Sequence, residues 1–150
     1  MQAWIVVGGA EHFELLRARH FDVCGFKGSR RKQSSEMRPG DRLVYYLTGV
    51  VQFGGIVEVT STMFEDSTDI GFRSKSKEAE EYPFRIHTKP VVIPPPGQYV
   101  EVREITDLLD KTRALGPQRL GIAFRGNLHR ISAADYQQIE QLLTANLAGA

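Results

Sequence analysis

The chain has 150 residues, of which 41% are hydrophobic and 25% are charged, and its formal net charge is +1. This is typical of one soluble globular domain, so we predict a single domain over residues 1–150. No apolar run approaches the roughly 20 residues that cross a bilayer, no secretory signal is visible, and one cysteine excludes an internal disulfide. We therefore expect a cytoplasmic monomer without a membrane partner, a metal or another cofactor.

Alternating or continuous apolar stretches bounded by turn residues predict five short strands. They cover residues 4–7, 43–47, 53–60, 84–89 and 100–102. The paired Gly54 and Gly55 inside the third stretch indicate a bulge or the close approach of another backbone.

Three helices are predicted, one near the start of the chain and two in its last third. They cover residues 11–19, residues 106–111 and the stretch that follows Ser132. In the first helix Phe13, Leu15 and Leu16 are expected to face the core. The last helix begins with a pattern that resembles a capping box, Ser132 followed by Asp135.

The order of these elements predicts the fold class. Short strands dominate the middle of the chain and the helices lie near its ends, which favours an α+β domain with a small mixed β-barrel or curled sheet flanked by helices. The strands do not alternate regularly with helices, which excludes a doubly wound parallel sheet. The last helix is expected to pack through Ile139 and Leu143.

Positive charge is concentrated between residues 27 and 38, and residues 25–35 are polar and without apolar periodicity, which predicts a loop. The cations are Lys27, Arg30, Arg31, Lys32 and Arg38. A basic patch on a nearly neutral protein indicates salt-sensitive contact with an anion, and the alternative is a solvated loop. The acidic run Glu78, Glu80 and Glu81 lies elsewhere.

The common catalytic and cofactor motifs are missing from the sequence. The Gly8-Gly9 pair is not followed by a dinucleotide or P-loop pattern, which makes it a turn. The four histidines lack the spacing of metal ligands. His20 and Cys24 would form a thiolate–imidazole pair only on a helix, so a small buried side chain is the default interpretation of Cys24.

Two short clusters are candidates for ligand contact. Ser67 and Thr68 follow Glu65-Asp66 and either hydrogen-bond a ligand from a loop or stabilise a turn. The sequence Phe124-Arg125-Gly126 offers guanidinium and backbone donors to a planar ligand or a phosphate, and the alternative is an exposed arginine at a strand end.

Several motifs, in order and over nearly the whole chain, resemble the EVE domain family of the PUA-like superfamily, which is related to the YTH and ASCH domains. The matching segments are Trp4, residues 23–25 (VCG), 38–46 (RPGDRLVYY), 55–66 (GIVEVTSTMFED), 82–93 (YPFRIHTKPVVI) and 124–131 (FRGNLHRI). The resemblance implies a PUA-like barrel that binds DNA or RNA and takes a modified base into a pocket, without catalysis.

The resemblance also implies which residues bind. Cys24, Gly25, Phe26 and Lys27 would form the pocket with Tyr46 and Phe124 as aromatic platforms, Ser67 and Thr68 as hydrogen-bonding groups and Arg125 as an anchor, while Arg30, Arg31 and Lys32 would meet phosphates. Cys24 and Leu120 stand where the family has tryptophans, so the pocket is altered or widened.

Two alternatives remain open at this point. The related ASCH group includes hydrolases of small amides on modified bases, and Lys27 with Glu65 or Asp66 would then form a catalytic pair. A member with a degenerate pocket would act only through protein contacts. The sequence does not decide between DNA, RNA and a free nucleotide.

Overall fold

The computed structural model describes residues 1–68 and 82–148, so the acidic run at residues 78–81 lies outside the described residues. In these described residues, eight strands, β1 to β8, cover Ala3–Gly9, Val23–Phe26, Arg42–Thr48, Gln52–Val59, Phe64–Glu65, Phe84–Val92, Val100–Glu101 and Leu128–Ile131. The same residues contain five α-helices, α1 to α5, which cover Ala10–Ala18, Arg31–Ser35, Asp110–Arg113, Leu120–Ala123 and Ala133–Ala148. Short 3₁₀ helices cover Gly28–Arg30 and Val102–Glu104.

The strands form one curled mixed sheet with the order β2-β6-β4-β3-β1-β8, and the short β5 and β7 pair with β6 and β4. The β1–β3 pair is parallel, and the other neighbours are antiparallel. The predicted α+β, PUA-like class is therefore confirmed. The predicted irregularity is also present, because the β3–β4 register shifts between Tyr45 and Tyr46 and the carbonyl of Val92 lies 3.1 Å from the position of a Cβ on Gly55.

Alternation along β3 divides the core into two hydrophobic clusters. One cluster contains Tyr45 and is covered by α1, and we call this side of the sheet the α1 face. The other contains Tyr46, Ile139 and Leu143 and is covered by α5, and we call it the α5 face. The expected burial of Ile139 and Leu143 is confirmed, since both are fully buried.

Several local predictions were wrong. Leu15 is exposed, because a helical period places Phe13 and Leu16 on one side of α1 and Leu15 away from it. Residues 25–35 contain the end of β2, a 3₁₀ turn and α2 rather than a loop. Helices this short are too brief to show an apolar period, and the buried Ser34 hydroxyl supports α2 by donating to the Arg31 carbonyl at 3.0 Å.

The third error concerns residues 106–111, where the helix begins only at Asp110. The Asp135 carboxylate sets that start, because it accepts the amide hydrogens of Asp110 and Lys111 at 2.7 and 3.0 Å. Ser132 caps α5 as predicted by accepting the Asp135 amide at 3.1 Å. Asp135 thus joins two helices instead of closing a reciprocal capping box.

Within the described residues, no helix is long and apolar enough to cross a membrane.

Candidate binding cleft

A cleft of about 260 Å³ opens on the α1 face where β1 and β3 end. Three segments and two single residues line it: the end of β1 with the start of α1, the strand β2 with its 3₁₀ turn, the second half of β3, and Tyr82 and Asn127. Its volume lies near the lower limit of about 300 Å³ for sites that enclose small molecules. The cleft is therefore of a size to hold one small planar group rather than a long ligand.

The inner end of the cleft is apolar and uncharged. Cys24 is buried, and burial raises the pKa of its thiol to about 12, so the thiol stays protonated and is not an activated nucleophile. Tyr45, beside it, is 3% exposed, and its buried hydroxyl faces the Cys24 thiol and has no nitrogen or oxygen hydrogen-bond partner among the residues described. Burial raises the pKa of this hydroxyl well above its usual value, which keeps it a neutral donor. His20 and Phe21 have left-handed φ angles of 57° and 53°, so His20 shares no helical turn with Cys24.

The rim of the cleft carries cations. Lys27 Nζ lies 5.7 Å from the centre of the Tyr82 ring. The Arg30 guanidinium donates to Gln33 Oε1 at 3.3 Å, while its buried Nε has no hydrogen-bond partner in the described part of the chain. A ligand with an apolar base and a phosphate suits this arrangement, because the phosphate would stay at the charged rim.

Asn127 reaches the cleft because of the turn that precedes it. Gly126 has a φ of +86°, and a Cβ at this position would lie 2.8 Å from Nη2 of Arg30. The Asn127 carbonyl accepts the amide hydrogen of Val7 at 2.9 Å, which fixes the turn to the end of β1. Glycine is thus required twice, for its backbone angle and for the close approach of Arg30.

Sequence reasoning missed several residues that line the cleft, namely His12, Phe13, Tyr82 and Asn127. His12 lies in the first turn of α1, and burial lowers the pKa of its imidazole, which favours the neutral ring. Gly8 and Gly9 end β1 instead of forming the predicted turn, and they were the available signal, since residues without side chains leave space beside the start of the following helix. Tyr82 carries no local signal, because only tertiary packing brings it to β2.

The structure separates the residues that the resemblance grouped together. Cys24, Gly25, Phe26, Lys27 and Arg30 all line the cleft. Arg31 and Lys32 are exposed on α2 beyond it, with the Arg31 guanidinium 5.5 Å from the centre of the Phe84 ring. These site assignments stay predictions, since no ligand is present.

Tyr46 and Phe124 lie on the α5 face instead, with their rings stacked at 4.1 Å and 18°. Successive side chains of a strand point to opposite sides, so Tyr45 and Tyr46 cannot line the same pocket. Leu120 also lies on the α5 face, and the two positions where the family has tryptophan therefore belong to different cavities. Arg125 is exposed in the turn between Phe124 and Asn127.

Ser67 and Thr68 do not line the cleft, and Thr68 takes part in a turn. Asp66 accepts the Thr68 amide at 2.9 Å, and Arg85 donates to Thr68 Oγ1 at 3.0 Å and lies 3.6 Å from the Asp66 carboxylate. The Thr68 hydrogen bonds and the Arg85 charge lower the pKa of Asp66. Asp66 thus serves an ion pair rather than a base, and the described residues contain no cluster of three or more His, Cys, Asp or Glu that could hold a metal.

Comparison with known proteins supports the resemblance found in the motifs. A UPF0310 protein of Pyrococcus horikoshii is 28% identical over 153 residues, covering 95% of this chain and 99% of that protein. The YTH domain of Zygosaccharomyces rouxii MRB1, solved in complex with N6-methyladenosine RNA, has a TM-score of 0.67 at 16% identity, covering 95% of this chain and 86% of that one. The NMR structure of a Rhodopseudomonas palustris protein has a TM-score of 0.64 at 16% identity, covering 97% and 94%.

These structures share the fold of the chain, and the sequence match is more specific. The family model described as the EVE domain matches residues 2–142, which include every strand and the cleft. On this evidence, the chain belongs to the EVE domain family.

Proposed function

We propose that this protein is a non-catalytic reader that binds nucleic acid and takes one modified base into the cleft on the α1 face. The observation that carries the proposal is the gradient within the cleft, from the neutral Cys24 and Tyr45 at its inner end to Lys27 and Arg30 at its rim. The EVE family and the related YTH fold, solved in one case with N6-methyladenosine RNA, support the same function.

The energetics favour a base that is already unpaired or easily extruded. Removing a base from its stack costs a few kcal/mol, and contact with an aromatic side chain returns about 1–3 kcal/mol per base. Phe26 and Tyr82 offer such contact in the cleft. Lys27 and Arg30 add attraction to the flanking phosphates, which weakens as the salt concentration rises.

The inner end would select the modification. Cys24 leaves space where the family pattern has tryptophan, and the Tyr45 hydroxyl offers one hydrogen bond that no described nitrogen or oxygen takes up. The buried thiol and hydroxyl would exclude a charged substituent because nothing there compensates its lost hydration. An uncharged substituent larger than a methyl group suits this end best.

The test is a binding screen of short single-stranded DNA and RNA that carry either a plain or a modified base, at two salt concentrations. We expect at least tenfold preference for one uncharged modification. Lys27→Ala should weaken all oligonucleotides, whereas Arg19→Ala, which removes a cation paired with Asp22 away from the cleft, should not. Equal affinity for plain and modified bases would disprove modified-base reading, and no binding at all would disprove the nucleic-acid reader.

A further inference from the structure

A second cavity, of about 390 Å³, lies on the α5 face of the sheet. The side chains that matter for its chemistry are Tyr46, Thr48, Arg103, Gln118, Leu120 and Phe124. Its floor contains the stacked pair of Tyr46 and Phe124, whose rings also meet Phe53 edge-on at 6.0 Å. The cavity thus combines an aromatic floor with polar side chains at its border.

This cavity and the cleft are both lined by residues from the end of β3. Leu47 lines the cleft, whereas its neighbours Tyr46 and Thr48 line the second cavity. The turn after α4 makes the same connection, because Phe124 lines the second cavity and Asn127 lines the cleft. The two cavities therefore lie on opposite sides of the end of β3 and of the turn after α4.

Three donors at the second cavity and this turn have nothing to bind within the described residues. The Tyr46 hydroxyl has no hydrogen bond there, although the residue is only 5% exposed. Burial raises the pKa of Tyr46, and the charge of Arg103, which lines the same cavity, opposes that rise. The side chains of Arg103 and of Arg125 form no ion pair or hydrogen bond with the rest of the described protein.

We propose that the second cavity binds a neighbouring nucleotide of the same strand, and that Arg125 meets the phosphate that links it to the base in the cleft. This inference rests on the proposed function and specifies its substrate. Two nucleotides on opposite faces of a sheet cannot remain stacked on each other, so the substrate is a single strand of more than one nucleotide.

The experiment compares a mononucleotide with a tetranucleotide for two probes whose uncharged substituent is larger than a methyl group, DNA with 5-hydroxymethylcytosine and RNA with N4-acetylcytidine. Affinities are measured by NMR titration of the intact protein, which also follows the amides of Gly49 and Gly121 at the second cavity. We expect the tetranucleotide of the preferred probe to bind about tenfold more tightly, the contribution of one hydrogen bond to a charged group. Its binding should shift both glycine amides, whereas the mononucleotide should not.

Two variants connect this gain to the second cavity. Arg103→Ala should remove most of the gain and leave mononucleotide affinity within about twofold, and Tyr46→Phe should reduce the gain while keeping the ring. Arg19→Ala controls for the loss of one positive charge. Equal binding of both lengths, or an unchanged gain in Arg103→Ala, would overturn the inference. Failure of every probe to bind would instead contradict the proposed function, and the inference with it.

Discussion

The α5 face is covered by a helix of 16 residues together with short segments that include α4, whereas the α1 face is covered by a helix of nine residues and by short segments alone. One buried tyrosine on each face shows how this difference affects hydrogen bonding. The Tyr136 hydroxyl accepts from Arg42 at 3.0 Å and donates to Glu140, whereas the Tyr45 hydroxyl has no nitrogen or oxygen partner among the described residues.

Leaving a buried donor unsatisfied costs about 1–3 kcal/mol, which a folded protein recovers where a ligand completes the hydrogen bond. The long helix satisfies Tyr136 with Glu140 of its own sequence, while the short segments around the cleft leave Tyr45 available. The comparison indicates that α5 mainly supplies stability, whereas the short segments on both faces leave room for cavities and, at Tyr45, an unsatisfied hydroxyl.

The largest expected effect is on the α5 side. Leu143→Ala should lower the free energy of unfolding by about 2–5 kcal/mol, because it leaves a cavity beneath α5. Leu147→Ala, at an exposed position on the same helix, should change it by less than about 0.5 kcal/mol. Denaturant melts measure both. A loss below about half a kcal/mol in Leu143→Ala would show that α5 is not the stabilising element.

On the α1 side, Cys24→Trp should weaken binding of the preferred ligand by about tenfold or more while the protein still folds. The indole would occupy the inner end of the cleft that a modified base needs, and Cys24→Ala serves as the control that keeps the space. Titration calorimetry measures the change. Tighter binding of a small modified base such as methylated cytosine, by the 1–3 kcal/mol typical of stacking, would contradict the widened cleft.

The cations beside the cleft should govern affinity without governing the choice of base. Replacing Arg30, Arg31 and Lys32 together by alanine should lower the log–log salt slope for single strands by roughly 2, about 0.7 for each phosphate. Over a fourfold rise in salt, the wild-type protein would then lose about 16 times more affinity than the variant. Filter binding at several salt concentrations measures the slope, and an unchanged slope would mean that these side chains are merely solvated.

The smallest expected effect concerns the contact between the turn at Gly126 and Arg30 at the rim of the cleft. Gly126→Ala places a side chain at a φ of +86° and against Arg30, so we expect about 1 kcal/mol of destabilisation and weaker binding. Gly121→Ala is the control, because φ is not positive there and no atom lies within 4 Å of the added Cβ. If both variants melt and bind alike, Arg30 does not depend on this turn.

The sequence predicted elements whose residues carry their own signal. Apolar alternation gave the main strands, and Ser132 marked the start of α5 before its Ile139 and Leu143 side. The sequence-based prediction failed at residues 106–111, because the helix there begins at a cap that Asp135 supplies from 24 to 25 residues away. Local patterns cannot report such a partner.

For the candidate cleft, the family motifs identified the β2 segment from Cys24 to Lys27, which does line it. They also grouped Tyr46 and Phe124 with that segment, although both lie on the other face. The motif at residues 38–46 implied that successive side chains of β3 point to opposite sides of the sheet. It did not show which of these sides faces α1. His12 and Tyr82 were missed because their place in the cleft depends on contacts between distant segments.

The sequence by itself determined the α+β class, five of the eight strands described, the last helix and the family, because periodicity, turn residues and ordered motifs are local properties of a chain. Only the tertiary structure decided that the candidate residues divide between two cavities, one on each face of the sheet. It also decided that Gly126 accommodates Arg30 and that the Tyr45 hydroxyl is buried without a nitrogen or oxygen partner among the described residues. These facts depend on strand pairing and helix placement, which bring together residues that the sequence keeps far apart.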